Sequence, residues 1–371
     1  MRKRLKKKLW MLLAGPVGMI LILVAQTVPD FAEKIYAGGI YRGLSAALSG
    51  LTGLLPFSLM EVGIVILIPG VLWIVIRFVM KLVKEKETRK ERLISGGLNI
   101  LCAVSLIYFI FVITCGVNYY RYYFTQYSGL EITQSSTEEL AQLVESLRDT
   151  ANDLRKDLPE DAQGVVVMDY PDYKSMAEAS REAMVSLGEV YPVLAGPYPR
   201  PKPVLFSRFM SYTRTTGVFS CFTMEANVNT DVTGYTIPAS MCHELAHLKG
   251  FMREDEANYI SYLACRNSDD IRLQYSGVMM ALVYAGNQLY QSDAERYARV
   301  RRGYSDGVDA DLKAETVYWN EFEQSLVGTV SDKVNDVYLK VQKQTDGTRS
   351  YGRMVDLLLA EYKQKKESRT P

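Results

Sequence analysis

The pentapeptide His243-Glu244-Leu245-Ala246-His247 contains the only two histidines in the chain. On a helix the i,i+4 spacing puts both imidazoles on one face about one turn apart, where they can reach a single ion. The glutamate between them can bond to the water on that ion, so the HExxH pattern predicts a Zn2+ site and metal-assisted hydrolysis. The helix has readable ends, since Pro238 suits its first turn and Gly250 its C-terminal exit. Met241, Leu245 and Leu248 form one apolar stripe for the core, while His243 and His247 take the opposite flank and face a cleft. Cys242 points about 100° away from His243 around the helix and reads as a buried packer.

Two histidines and a water leave one protein ligand to find, and catalytic zinc commonly takes a carboxylate for it. The residues that follow are Arg253-Glu254-Asp255-Glu256-Ala257-Asn258. In the glutamate-zincin peptidases a second helix supplies this ligand from an E-x-x-A-[DN] pattern, which Glu254, Ala257 and Asn258 resemble in register. The resemblance implies Glu254 as the third ligand. Asn258, one turn further on, would accept a hydrogen bond from a ligating imidazole. Glu256 is the alternative ligand, and Asp255 points away from both. Without the histidines these acids would read as a charged first turn stabilised by the helix dipole. The stretch from His247 to Gly250 also opens like the metzincin HExxHxxG sequence, but Arg253 stands where that family has its third histidine and does not ligate.

Upstream, Val204-Leu205-Phe206 and residues 217–228 alternate in the strand manner, with Asn229, Asp231 and Gly234 marking the turn that follows. A strand just before an HExxH helix is where zincins place the edge strand that binds an extended peptide through main-chain hydrogen bonds. Earlier still, residues 136–158 have apolar positions at helical spacing, with Thr137 as N-cap, and residues 173–187 form a second helix that a proline-rich stretch ends. Helices are expected near 253–267 and 270–290, and residues 330–366 read as two more around Asp346-Gly347. The expected fold class is mainly α with a small β-sheet, an α+β zincin-like domain over residues 119–371.

Composition places this domain behind a membrane segment. The chain has 371 residues, 48% of them hydrophobic, and a net charge of +1, but its apolar residues pile up at the front. Runs at 9–28, 62–80 and 93–117 each approach the ~20 residues that cross a bilayer. They define a membrane domain over residues 1–118. Arg2, Lys3, Arg4, Lys6, Lys7 and Lys8 are matched by Lys81, Lys84, Lys86, Arg89, Lys90 and Arg92 between the second and third runs. Loops rich in such residues stay on the cytoplasmic side. The loop at 29–56 carries only Lys34 and Arg42. An odd number of spans then carries the C-terminal domain out of the cytoplasm. A cleavable signal peptide is the other reading of the first run, and it leaves the orientation unchanged. Tyr119, Tyr120, Tyr122 and Tyr123 read either as an interfacial aromatic belt or as a tyrosine-rich linker. Cys102 and Cys115 read as small packers in the third run, while Cys221, Cys242 and Cys265 leave an odd count outside and no assignable disulfide.

Across most of its length the chain resembles a family of bacterial membrane proteins, domain of unknown function 3810. The residues that carry the likeness are Gly116-Val117-Asn118-Tyr119-Tyr120-Arg121, Gly217 with Glu225 to Asn229, Cys242 to Gly250, and Arg253 to Asn258. The resemblance implies fold and topology more than substrate. The motif itself points to a membrane-anchored zinc peptidase, in which His243, His247 and Glu254 hold the metal and Glu244 moves the proton. Tyr259, Tyr262, Tyr275 and Tyr284 are candidates to steady an oxyanion. The expected partners are a peptide or protein substrate and the lipid bilayer. No nucleic acid is expected, because Arg296, Arg299, Arg301 and Arg302 read as a solvated helix end. The alternative is a non-catalytic envelope binding or assembly protein with a structural or degenerate HExxH. An intramembrane protease does not fit, because Lys249, Arg253, Glu254, Asp255 and Glu256 crowd the motif.

Overall fold

The computed structural model describes residues 2–323, 325 and 353–368. Helix α1 (Arg2–Thr27) is followed by a π-helical stretch at Phe31–Tyr41 and by α2 (Arg42–Thr52), α3 (Leu59–Lys84) and α4 (Arg89–Thr114). Segments Lys8–Thr27, Leu59–Lys84 and Arg89–Thr114 are long and apolar enough to cross a membrane. The third stops before residue 117 because Gly116–Tyr120 tightens into a 3-10 turn. Helices α1 and α4 pack through small groups: the Gly15 N–H donates to Ser105 Oγ at 2.7 Å, and a Cβ on Gly15 would lie only 2.9 Å from that oxygen. Small residues allow such close backbone approach between apolar helices.

The loop at 29–56 is itself helical and packs beneath the HELAH segment. Tyr41 Oη donates to the carbonyls of His247 and Leu248 at 3.3 and 3.2 Å. Arg121 is forked on the Glu33 carboxylate at 3.0 and 2.9 Å, and its Nη1 donates to Lys249 O at 2.8 Å. Carbonyls in the last turn of a helix lack intrahelical partners, and here residues more than a hundred positions away supply them.

The remainder is mainly helical: α5 (Thr125–Ser128), α6 (Thr137–Arg155), α7 (Tyr173–Val190), α8 (Ser207–Tyr212), α9 (Ile237–Leu248), α10 (Glu254–Arg266), α11 (Ile271–Ser292), α12 (Ala294–Arg301), α13 (Asp306–Asn320) and α14 (Arg353–Glu367). The cap of α6 is Ser136, one residue before the expected Thr137. Its Oγ accepts the Glu139 N–H at 3.2 Å while the Glu139 carboxylate accepts the Ser136 N–H at 2.7 Å, a reciprocal capping box. The expected helix turn at Asp346-Gly347 lies outside the described residues.

A three-stranded sheet has the order β1 (Lys202–Pro203), β3 (Glu225–Val228), β2 (Gly217–Ser220), with β1 parallel and β2 antiparallel to β3. Two expectations change here. Val204-Leu205-Phe206 is not a strand, because the Glu61 carboxylate accepts the Leu205 and Phe206 N–H groups at 3.0 and 2.8 Å and the chain turns into α8. Residues 217–228 fold back as a hairpin through Met224, whose φ of 52° lets the chain reverse. The strand directly before α9 is therefore central, and β2 is an edge. Lys202 and Glu225, both buried, form an ion pair at 2.5 Å, and the Glu225 carboxylate also accepts the Leu59 and Met60 N–H groups at 3.0 and 2.9 Å. The sheet is thus tied to the first turn of α3.

Candidate metal centre

Helix α9 forms where the sequence places it, with Pro238 in its first turn and Met241, Leu245 and Leu248 sealed in the core. It is followed by a sharp reversal. Gly250 has a φ of +85°, and a Cβ there would lie 3.1 Å from both Arg121 Nη1 and the Tyr41 ring, so only glycine fits. The reversal brings the first turn of α10 back against α9. Arg253 then points away from the cleft and donates to the Tyr119 and Arg121 carbonyls at 2.8 and 2.9 Å.

Within this turn-and-return, His243 Nε2 lies 3.2 Å and His247 Nε2 3.7 Å from the two oxygens of Glu254. Ligand atoms of the three residues fall within 4.8 Å of one another, and the two rings stand nearly perpendicular. Glu256 is elsewhere: its carboxylate accepts the Phe124 N–H at 2.5 Å and pairs with Arg253 at 3.1 Å, anchoring the chain after the third span. Asp255 is not in the cluster. The Cys242 thiol also faces away, 3.7 Å from the Cys265 thiol, and none of the five cysteines forms a disulfide.

Two imidazole nitrogens and one carboxylate oxygen are the donor types that catalytic zinc takes, and these residues fit such an ion. His247 Nδ1 lies 2.7 Å from the Phe251 carbonyl, which accepts its proton and leaves Nε2 as the bare, metal-ready nitrogen. Asn258 stands beside His243 and favours its charged form. It makes no hydrogen bond to His243 Nδ1, which like Asn258 Nδ2 is buried without a partner among the described residues.

Electrostatics of the cluster follow mainly from burial and from the Glu254 carboxylate. Burial works against a charge on His243, but Glu254 outweighs it and raises the pKa to about 9. Burial wins at His247 and lowers its pKa to about 4. Glu254 is held below the usual carboxylate range, since His247 and His243 overcome the burial that would raise it. Burial also raises Glu244 to about 8. Its carboxylate presses on the β2 edge so closely that a Cβ on Gly217 would come 2.4 Å from Oε1. Only a glycine at that point leaves room for the glutamate.

These groups open on a cleft of about 810 Å³, with Gly217, Val218 and Phe219 of β2 on one wall and Cys115 and Tyr119, at the exit of the third span, also lining it. Of the four tyrosines considered from sequence, Tyr284 of α11 lines the cleft and the others do not. Tyr275 donates to Asp311 at 2.5 Å, Tyr262 accepts from Arg266 at 3.2 Å, and Tyr259 packs edge-on against Phe124. Tyr119 faces this cleft rather than a plain interfacial belt. Glu315 is a lining residue that sequence reading missed, since nothing local marks α13 as part of the site.

The family model described as Protein of unknown function (DUF3810) matches residues 36–359. The chain belongs to the DUF3810 family. In this DUF3810 protein the matched region contains the second and third spans, the sheet and every residue of the His-His-Glu cluster. No curated protein and no solved structure matches the chain.

Proposed function

We propose that this protein is a membrane-anchored, zinc-dependent peptidase whose cleft lies outside the cytoplasmic membrane. The observation that carries the reading is the convergence of His243, His247 and Glu254 on one point, from two helices, beside a buried Glu244 and an open cleft. The asymmetric basic loops support the outward orientation. A zinc ion held by these three residues would supply a Lewis acid that polarises the scissile carbonyl and acidifies water.

The chain's own groups do the rest. Glu244 takes a proton from the attacking water on its carboxylate as the water oxygen bonds to the carbonyl carbon, and then delivers that proton to the amine nitrogen as the peptide C–N bond breaks. A carboxylate whose pKa burial brings near neutrality suits both transfers. Tyr284, kept protonated by burial, donates its hydroxyl proton as a hydrogen bond to the developing oxyanion. An extended substrate pairs with β2, the edge strand of the sheet among the described residues, where Gly217, Val218 and Phe219 line the cleft. The site opens beside the exit of the third span, so the substrate approaches along the membrane surface.

The test is metal analysis of the purified full-length protein, coupled to digestion of an unbiased peptide library by wild type and Glu244→Gln. Zinc near one per chain and cleavage by wild type alone are expected. Absence of bound metal together with absence of cleavage would leave only the non-catalytic envelope assembly protein.

A further inference from the structure

Helix α8 is built inside out. Its serines are buried, Ser207 at 5% exposure and Ser211 at 0%, while the apolar side chains on and before it face outward, with Leu205 at 83%, Phe206 at 60% and Phe209 at 63%. The inward serines are satisfied: Ser207 Oγ donates to Val204 O at 2.6 Å, and Ser211 Oγ accepts from Asn229 Nδ2 at 2.9 Å. A helix bathed in water turns its apolar side inward. A contiguous apolar face turned outward marks a surface that meets something other than water.

The position of α8 says what it meets. The Glu61 carboxylate, in the first turn of α3, holds the Leu205 and Phe206 N–H groups. That turn begins the apolar segment Leu59–Lys84, so Leu205 and Phe206 sit level with its entry into the bilayer. Leu54 and Phe57, just ahead of α3, are exposed as well. Phe222, in the β2–β3 turn, is also exposed, and the neighbouring Cys221 sits against Thr114 and Cys115 at the end of α4. The exposed apolar side chains thus flank the same ends of two spans.

We propose that Leu205, Phe206 and Phe209, with Leu54, Phe57 and Phe222, form a collar that inserts into the lipid bilayer at the headgroup boundary where α3 begins and α4 ends. Aromatic and branched apolar side chains on a short amphipathic element are the usual means of resting in that layer. Thr213 and Thr215, directly after α8, line the cleft. Insertion therefore holds the cleft at headgroup level, independently of what reaction occurs in it.

Photocrosslinking of the full-length protein in nanodiscs of phosphatidylethanolamine and phosphatidylglycerol tests this. Benzoylphenylalanine is placed singly at Phe206 and at Phe209. Ile74, exposed in the middle of α3, serves as the lipid reference, and Val317, exposed on α13, as the aqueous one. Mass spectrometry is expected to find lipid adducts at 206 and 209 at yields comparable to position 74 and several-fold above position 317. Yields no higher than at position 317, or adducts to polypeptide in place of lipid, would overturn the proposal. Neither readout depends on peptidase activity, so the two readings fail separately.

Discussion

Two buried polar clusters in this molecule use charge in opposite ways. Around Asp311, which is fully buried, both carboxylate oxygens are engaged: Oδ1 accepts the Val166 N–H at 2.7 Å, and Oδ2 accepts Arg155 Nε at 2.8 Å and Tyr275 Oη at 2.5 Å. Arg155 also donates to the Leu158 and Gly164 carbonyls and to the Glu160 carboxylate. Around Glu254, by contrast, His243 Nδ1 and Asn258 Nδ2 have no partner among the described residues, the pKa values of the two imidazoles are pushed in opposite directions, and burial raises that of Glu244 beside them. A closed network rigidifies the fold. An open one, lining a cleft, is arranged for something that arrives from outside.

Substitutions in the open cluster should act on chemistry, and those in the closed one on stability. His247→Ala is expected to abolish both bound zinc and cleavage. Full zinc content in that variant, read by inductively coupled plasma mass spectrometry, would remove His247 from the ligand set. Glu244→Gln should keep the metal yet lower kcat by about 10²–10⁴-fold, the usual contribution of a positioned base. Retained turnover would end its role as proton carrier. Tyr284→Phe should cost about 10²-fold in kcat with KM little changed, as loss of an oxyanion donor does. A change confined to KM would recast Tyr284 as a substrate contact.

Asp311→Asn is expected to leave metal content and the kcat of the folded protein as they are. It removes the buried charge that faces Arg155 and leaves only the more exposed Glu160 to pair with it, so stability should fall, by at most about 3–5 kcal/mol, read as a lower Tm by thermal denaturation. Lost zinc at a temperature where this variant is still folded would mean that the two clusters are coupled, and the contrast between them would collapse.

How much was legible beforehand differs along the chain. Periodicity located α7, α9, α10 and α11 closely, because each carries a continuous apolar stripe and a local stop signal such as Gly250. Glu254 was legible as the residue after the break that matches a known spacing, and it does lie between the two imidazoles. Asn258 is beside His243 as expected, though without the hydrogen bond assigned to it. The sheet was harder. Residues 217–228 alternate throughout, and alternation does not reveal a reversal at Met224, where a non-glycine residue takes a positive φ. Val204-Leu205-Phe206 looked like a strand because its side chains suit one, yet its amides are claimed by Glu61 from a distant helix.

From the sequence alone came the three apolar spans, the helical frame and the two histidines one turn apart on α9, since hydrophobic run length, helical period and i,i+4 spacing are local properties. Tertiary structure alone decided that Glu256 turns to the Phe124 amide and Arg253, that Tyr284 is the tyrosine in the cleft, and that the segment between the first two spans braces the end of α9. Each of these depends on which way a chain turns between elements and on hydrogen bonds between residues far apart, and no local pattern encodes those pairings.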